Sequence, residues 1–133
     1  SFAGLPVKMR GGKVSCMLHM RSSDVFLGLP FNITSYALMA HLIGREMGAG
    51  ASRLCVSLGD YHIYENHLEQ IEEQLTRVPY PQAKFKLSDD VPTLRQIMDM
   101  GNSPIRLKAA VEAIVACVEG YQSHPSIKGE VAV

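Results

Sequence analysis

The chain has 133 residues, enough for one domain around one core, which we take as residues 1–133. Apolar residues make up 47% and charged residues 20%, and thirteen basic residues balance thirteen acidic ones, as in a soluble globular protein. No large basic surface is implied, so the composition argues against a nucleic-acid polymer as partner, and any phosphate must be met by one or two placed arginines.

In chain order, Gly11-Gly12 reads as a hairpin turn joining a strand at 5–9 to one at 13–20, where Val14, Cys16 and Leu18 alternate with polar or small residues. Segment 21–31 reads as a loop punctuated by Gly28 and Pro30. Asn32 is a candidate cap for a helix over 33–47. That helix carries a stripe of Ile33, Tyr36, Ala37, Ala40, Ile43 and Met47, with Leu38, Met39 and Leu42 elsewhere on its circumference, so it is expected to be central and buried. Segment 53–58 (RLCVSL) reads as a buried strand broken by Gly59-Asp60.

A second helix is expected over 64–76, with Tyr64, Leu68, Ile71 and Leu75 inward, stopped by Pro79 and Pro81. A short strand at 85–87 and a short helix at 93–100 follow. Segment 105–118 fits a helix through Leu107, Val111, Ile114 and Val118, and equally a strand through Val111, Ala113, Val115 and Cys117. The sum is an α+β domain, a mixed sheet packed on a central buried helix.

The opening residues lack the basic start and long apolar run of a signal peptide, and no apolar run is long enough for a bilayer, so no membrane is expected as partner. Cys16, Cys55 and Cys117 are odd in number, far apart and without a CxxC pair. That points away from disulfides and zinc towards a reducing compartment, the cytoplasm. Their strand-like or apolar flanks suggest packed core thiols. A start at Ser1, without Met and directly into strand-like sequence, reads either as a trimmed chain or as a fragment of a longer enzyme.

Two stretches concentrate chemistry. In 21–32 (RSSDVFLGLPFN), Arg21 offers a charged fork and Ser22 a short donor, a pair that suits a phosphate. Asn32 offers a donor and an acceptor, matching the N3–H and O4 edge of uracil. In 59–67 (GDYHIYENH), His62 and Tyr64 point the same way on an extended chain and suit sugar hydroxyls. His62 and His67 are five apart with no cysteine near, a poor metal set. On composition alone, a polar loop with Asn32 as helix cap and a polar strand-to-helix turn are the simpler readings of these stretches.

RSSDVFLGLPFN with the following ITSYALMAHLI resembles the phosphate- and uracil-binding segment of the thymidylate synthase family. GDYHIYENH resembles that family's GDxHxYxNH segment, and EGYQSHPSIKGEVAV its terminal EGYxPHPxIKxxxAV. The three occur in the family's order. The resemblance implies that Arg21 and Ser22 contact the phosphate of deoxyuridylate, that Asn32 holds the pyrimidine edge in favour of uracil over cytosine, and that His62 and Tyr64 hold the deoxyribose. Asp24 would reach the folate ring and its water network, Leu27, Gly28 and Phe31 would line the folate side of the cleft, and the end at Ala132-Val133 would close over the ligands. It further implies one-carbon transfer from 5,10-methylenetetrahydrofolate, a reduced folate co-substrate, to C5 of deoxyuridylate by a homodimer, with no metal.

Counted back along the ungapped match, the family's nucleophilic cysteine falls at Ser1 and the following histidine at Phe2, while Met20 stands where the family has glutamine. Segment 91–118 is longer than expected and matches poorly. By this count the usual thiol is missing and the chain is expected to be inactive by itself. A deoxypyrimidine-nucleotide hydroxymethylase of the same fold and a noncatalytic nucleotide-binding or interaction relative remain the alternatives.

Overall fold

The computed structural model describes the backbone of residues 3, 4 and 7–131, and side chains from Arg10 to Val131. Ser1 and Ala132, both site candidates, lie outside the described residues, as does Leu5 of the expected hairpin. Gly11 (φ 58°) and Gly12 (φ 70°) make the two-residue turn that returns β2 (Val7–Arg10) onto β3 (Lys13–Asp24), pairing Arg10 with Lys13. Two consecutive positive φ values favour glycine there. A short β1 (Ala3–Gly4) pairs further along the same edge of β3.

β3 alternates as a half-buried strand should. Val14, Cys16, Leu18 and Met20 are buried, while Met17, His19 and Arg21 are exposed. Its other edge runs parallel to β4 (Gly50–His62), and α1 (Leu29–Glu46) is the crossover that parallel strands require. The register shifts once between Val14 and Ser15, leaving Ser52 as an extra residue in β4.

α1 is the middle layer. Ala40 and Ile43 pack with Val14, Cys16, Ala49 and Leu54 on the sheet side. Leu42 and Leu38 pack away from it with Val91, Cys117, Phe85, Leu94 and Ile114. That outer layer consists of β5 (Lys84–Phe85) paired with β6 (Val118–Glu119), α3 (Leu94–Asp99) and α4 (Pro104–Val115). α3 starts at a reciprocal cap between Thr93 and Gln96. Arg45 at the end of α1 holds the loop before α3, donating to the carbonyls of Ser88, Val91 and Pro92 at 3.2, 2.8 and 2.6 Å. The fold is α+β, as expected.

Several expectations are corrected. Residues 21–24 belong to β3, and Gly59-Asp60 continue β4, because each supplies the other's ladder partners: Ser22 with Asp60, Asp24 with His62. α1 begins at Leu29 behind the N-cap Gly28, with Pro30 in its first turn, so Asn32 lies inside the helix and caps nothing. Segment 105–118 resolves to helix followed by the two residues of β6. The second helix is only α2 (Leu68–Leu75), preceded by a 3-10 turn at Glu65–His67. Its Leu68 and Leu75 are exposed, contrary to the expected inward stripe. Cys55, expected to be packed, is exposed, while Cys16 and Cys117 are buried.

Candidate functional site

The two chemistry-rich stretches meet at the carboxyl ends of the parallel pair β3 and β4. Ser22 lies opposite Asp60, Ser23 opposite Tyr61, and Asp24 opposite His62. The Val25 amide donates to the His62 carbonyl at 3.0 Å, carrying the pairing past the last ladder residue. Gly59 is required at this point. A Cβ there would stand 2.9 Å from the Arg21 carbonyl oxygen and 3.4 Å from that of Met20.

Along an extended strand, Arg21 and Ser22 leave the backbone on opposite faces. Arg21 is exposed and Ser22 half-buried. Ser23 is buried and its hydroxyl has no hydrogen-bond partner among the described residues.

The turn after Asp24 is organised by Asp24 itself. Its Oδ1 accepts from the amides of Phe26 (3.0 Å) and Leu27 (3.1 Å), and its carbonyl accepts from Gly28 N (3.1 Å). Leu27 and Gly28 therefore stand where α1 begins, with Phe31 in its first turn and largely exposed. Asn32 donates its backbone amide to the Gly28 carbonyl (3.0 Å), and its Nδ2 lies 3.7 Å from the place a Cβ on Gly28 would take. Its side chain makes no cap bond.

His62 and Tyr64 do sit together, with ring centroids 4.8 Å apart in an edge-to-face arrangement. His62 Nδ1 is 3.6 Å from Asp60 Oδ1, a loose contact with a mostly exposed carboxylate. Behind them lies His67, fully buried, touching Tyr64 and Phe26 with centroids 5.9 and 5.1 Å away. His67 carried no role in the sequence reading except as a poor metal ligand. Its place in GDYHIYENH, beside two residues given sugar contacts, was the available signal.

Ser22, Asp24, His62 and Tyr64 thus gather at the strand ends with Leu27, Gly28, Phe31 and Asn32 just beyond, and Arg21 rises from the other face. Cavities among the described residues lie away from these strand ends. One of about 740 Å³ runs between α1 and α4, and another of about 500 Å³ lies beside α3. The candidate site is the polar cluster at the strand ends. Among the described residues no three His, Cys, Asp or Glu side chains converge to hold a metal ion. None of the described helices is long and apolar enough to cross a membrane.

Burial raises the Cys16 thiol above its ordinary range. Cys117 is buried against the Ser88 amide (3.4 Å) and the Ala113 carbonyl (3.4 Å). Cys55 pairs with Met17 in mid-strand, well before the strand ends.

A βαβ unit thus brings polar residues from two strands and a turn together at the carboxyl ends, where open sheets of this kind bind ligands. The comparisons give the family. Residues 2–133 match the family model described as thymidylate synthase. The thymidylate synthase of Listeria monocytogenes serovar 1/2a (strain ATCC BAA-679 / EGD-e) is 44% identical over 122 residues, 92% of this chain and 34% of that protein. Those of L. monocytogenes serotype 4a (strain HCC23) and serotype 4b (strain CLIP80459) are each 43% identical over the same length and shares. The chain belongs to the thymidylate synthase family, and it spans about a third of the length of the curated relatives it matches.

Proposed function

We propose that residues 1–133 form a single unit that holds deoxyuridylate within a thymidylate synthase, whose reaction moves one carbon from 5,10-methylenetetrahydrofolate to C5 of the pyrimidine. The observation that carries this reading is the register pairing of 22–24 with 60–62 at one end of a parallel pair, where ligands of such sheets bind. In this reading Arg21 and Ser22 bind the phosphate, the long exposed Arg21 side chain reaching round the strand end to the side of the half-buried Ser22. His62 and Tyr64 hold the deoxyribose. Asn32, free of capping duty, presents its amide to the uracil edge.

The folate side fits the residues present. The exposed Phe31 ring, with Leu27 and Gly28 at the turn beside it, makes an apolar shelf, and Asp24 keeps a carboxylate oxygen beyond its turn bonds. The reduced folate supplies the one-carbon unit and the hydride that completes the methyl group. By resemblance Ala132 belongs to this side and Ser1 occupies the nucleophile's position. Attack at C6 calls for a thiolate. Cys16 is buried with its thiol pushed up, and it lies roughly 17 Å of strand before Arg21. Cys55 and Cys117 are no better placed.

We read the uncovered sheet face, with Met17 beside Cys55, as the interface of a homodimer. The three free thiols suit a reducing cytoplasm.

Titration calorimetry with deoxyuridylate tests the reading. Arg21→Ala should weaken binding by about 1.5–3 kcal/mol, the range for a charge-assisted hydrogen bond. Arg21→Lys should recover only part, because the planar fork is lost. Equal affinities for the wild type and the alanine variant would refute the phosphate assignment.

A further inference from the structure

We propose that His67 is a positioning residue that latches the carboxy-terminal strap, residues 124–130, to the nucleotide site. The inference rests on the reading that His62 and Tyr64 hold the nucleotide.

The strap has no regular secondary structure and is pinned from its side by donors to backbone carbonyls. Arg77 donates to Pro125 O at 2.7 Å, and Gln70 to Lys128 O at 3.5 Å. Near its far end, one carbonyl is bonded twice. Glu130 O lies 2.7 Å from His67 Nε2 and accepts from Asn66 Nδ2 at 3.2 Å. A carbonyl can only accept, so His67 Nε2 carries the hydrogen.

Gly129 lets this happen. A Cβ there would stand 2.7 Å from Phe26 Cε1, 3.2 Å from Leu27 Cδ2 and 3.3 Å from His67 Cδ2. The strap backbone therefore lies directly on the turn that follows Asp24 and on the His67 ring. The same ring meets Tyr64 edge-on, and Tyr64 meets His62. One imidazole joins the sugar-holding pair, the folate-side turn and the strap.

The cost of this arrangement is on view. His67 Nδ1 is buried with no partner among the described residues. An apolar ring of similar size would fill the space without leaving a lone pair unsatisfied. What it would not supply is the donor to Glu130. The histidine is therefore placed for its Nε2–H as well as for its bulk.

Two variants in the full chain separate those roles. His67→Phe keeps an aromatic ring and loses the donor. His67→Gln restores a donor of similar reach. Trypsin cleavage after Lys128, followed by mass spectrometry of the released peptide, reports strap release. Deoxyuridylate affinity reports the site. In His67→Phe we expect faster cleavage without nucleotide and binding about two- to tenfold weaker, the range of one neutral hydrogen bond. Glutamine should recover most of both. A merely structural role would lower melting temperature equally in both variants without this recovery. Cleavage of His67→Phe at the wild-type rate, or no advantage of Gln over Phe, overturns the latch. Should His67→Phe fail to fold, Gly129→Ala pushes the strap off the ring from the other side and should speed cleavage likewise; an unchanged rate there also overturns it. Wild-type protein that binds no deoxyuridylate would refute the proposed function, while the cleavage comparison without nucleotide would still decide the latch.

Discussion

Asp24 and His62 are register partners at the last rung of the β3–β4 ladder, and the amide next to Asp24 donates to the His62 carbonyl at 3.0 Å. Each residue thereby places the other's neighbours. Asp24 turns the chain towards Leu27 and Gly28, while His62 sends it towards Tyr64 and His67. The two sides of the proposed site are one backbone pairing apart, so disturbing the ladder there should disturb both.

Gly59 offers that test. A side chain at 59 must displace the Arg21 carbonyl, which is backbone and has little freedom to yield. Gly59→Ala should destabilise the fold by about 1–3 kcal/mol, the usual cost of overpacking. Urea unfolding measures it. An unchanged midpoint would mean that the strands can separate locally, and that the close approach does not constrain Arg21.

Arg45 should matter more than its position in the last turn of α1 suggests. It serves three carbonyls in the loop before α3, while its neighbour Glu46 accepts from the Leu94 amide at 2.9 Å. Arg45→Met leaves those carbonyls short of a donor and should cost roughly 2–4 kcal/mol. Lysine should restore only a fraction, since it lacks the fork that reaches several oxygens. If methionine and wild type unfold at the same urea concentration, the α3–α4 layer is held by its apolar contacts alone.

His41 gives the fold a pH dependence of known sign. It sits edge-on to Phe85, centroids 4.8 Å apart, and burial lowers its pKa from the ordinary 6.5. The unfolded chain therefore takes up the proton first as pH falls. Stability from neutral His41 is complete above about pH 6.5 and is lost as pH drops through that value towards the lower folded-state pKa. His41→Gln should reduce the difference in urea midpoint between about pH 7.5 and pH 5.5. The same difference in both proteins would remove His41 as its source.

Thiol reactivity tests the homodimer. In a monomer, Cys55 should react quickly with a thiol reagent, while Cys16 and Cys117 wait for unfolding, Cys16 also because burial holds its thiol protonated. If the uncovered sheet face pairs with a second copy, Cys55 becomes slow at micromolar protein and fast on dilution. Light scattering on the same samples supplies the mass. A compact monomer with a fast Cys55 throughout would sink the dimer reading.

Much was legible in the chain itself. The alternation of Val14, Cys16 and Leu18 gave β3, Gly11-Gly12 gave the hairpin turn, and the apolar residues of α1 marked a helix packed on more than one side. These signals are local, since period and turn chemistry follow from backbone geometry. For the proposed site, residue types at motif spacing suggested Arg21, Ser22, Asn32, His62 and Tyr64, and the family resemblance added Asp24. Where local propensity and tertiary pairing disagreed, only the structure decided. Polar residues 21–24 and Gly59-Asp60 look like loops by composition, yet each holds the other extended, and a ladder partner thirty-eight residues away leaves no local trace. Asn32 looked like a cap until Gly28 took that position. His67 looked idle because its partners are the Phe26 ring forty-one residues back and a backbone carbonyl sixty-three residues on. A carbonyl has no residue type, and only folding brings it within 2.7 Å of the imidazole.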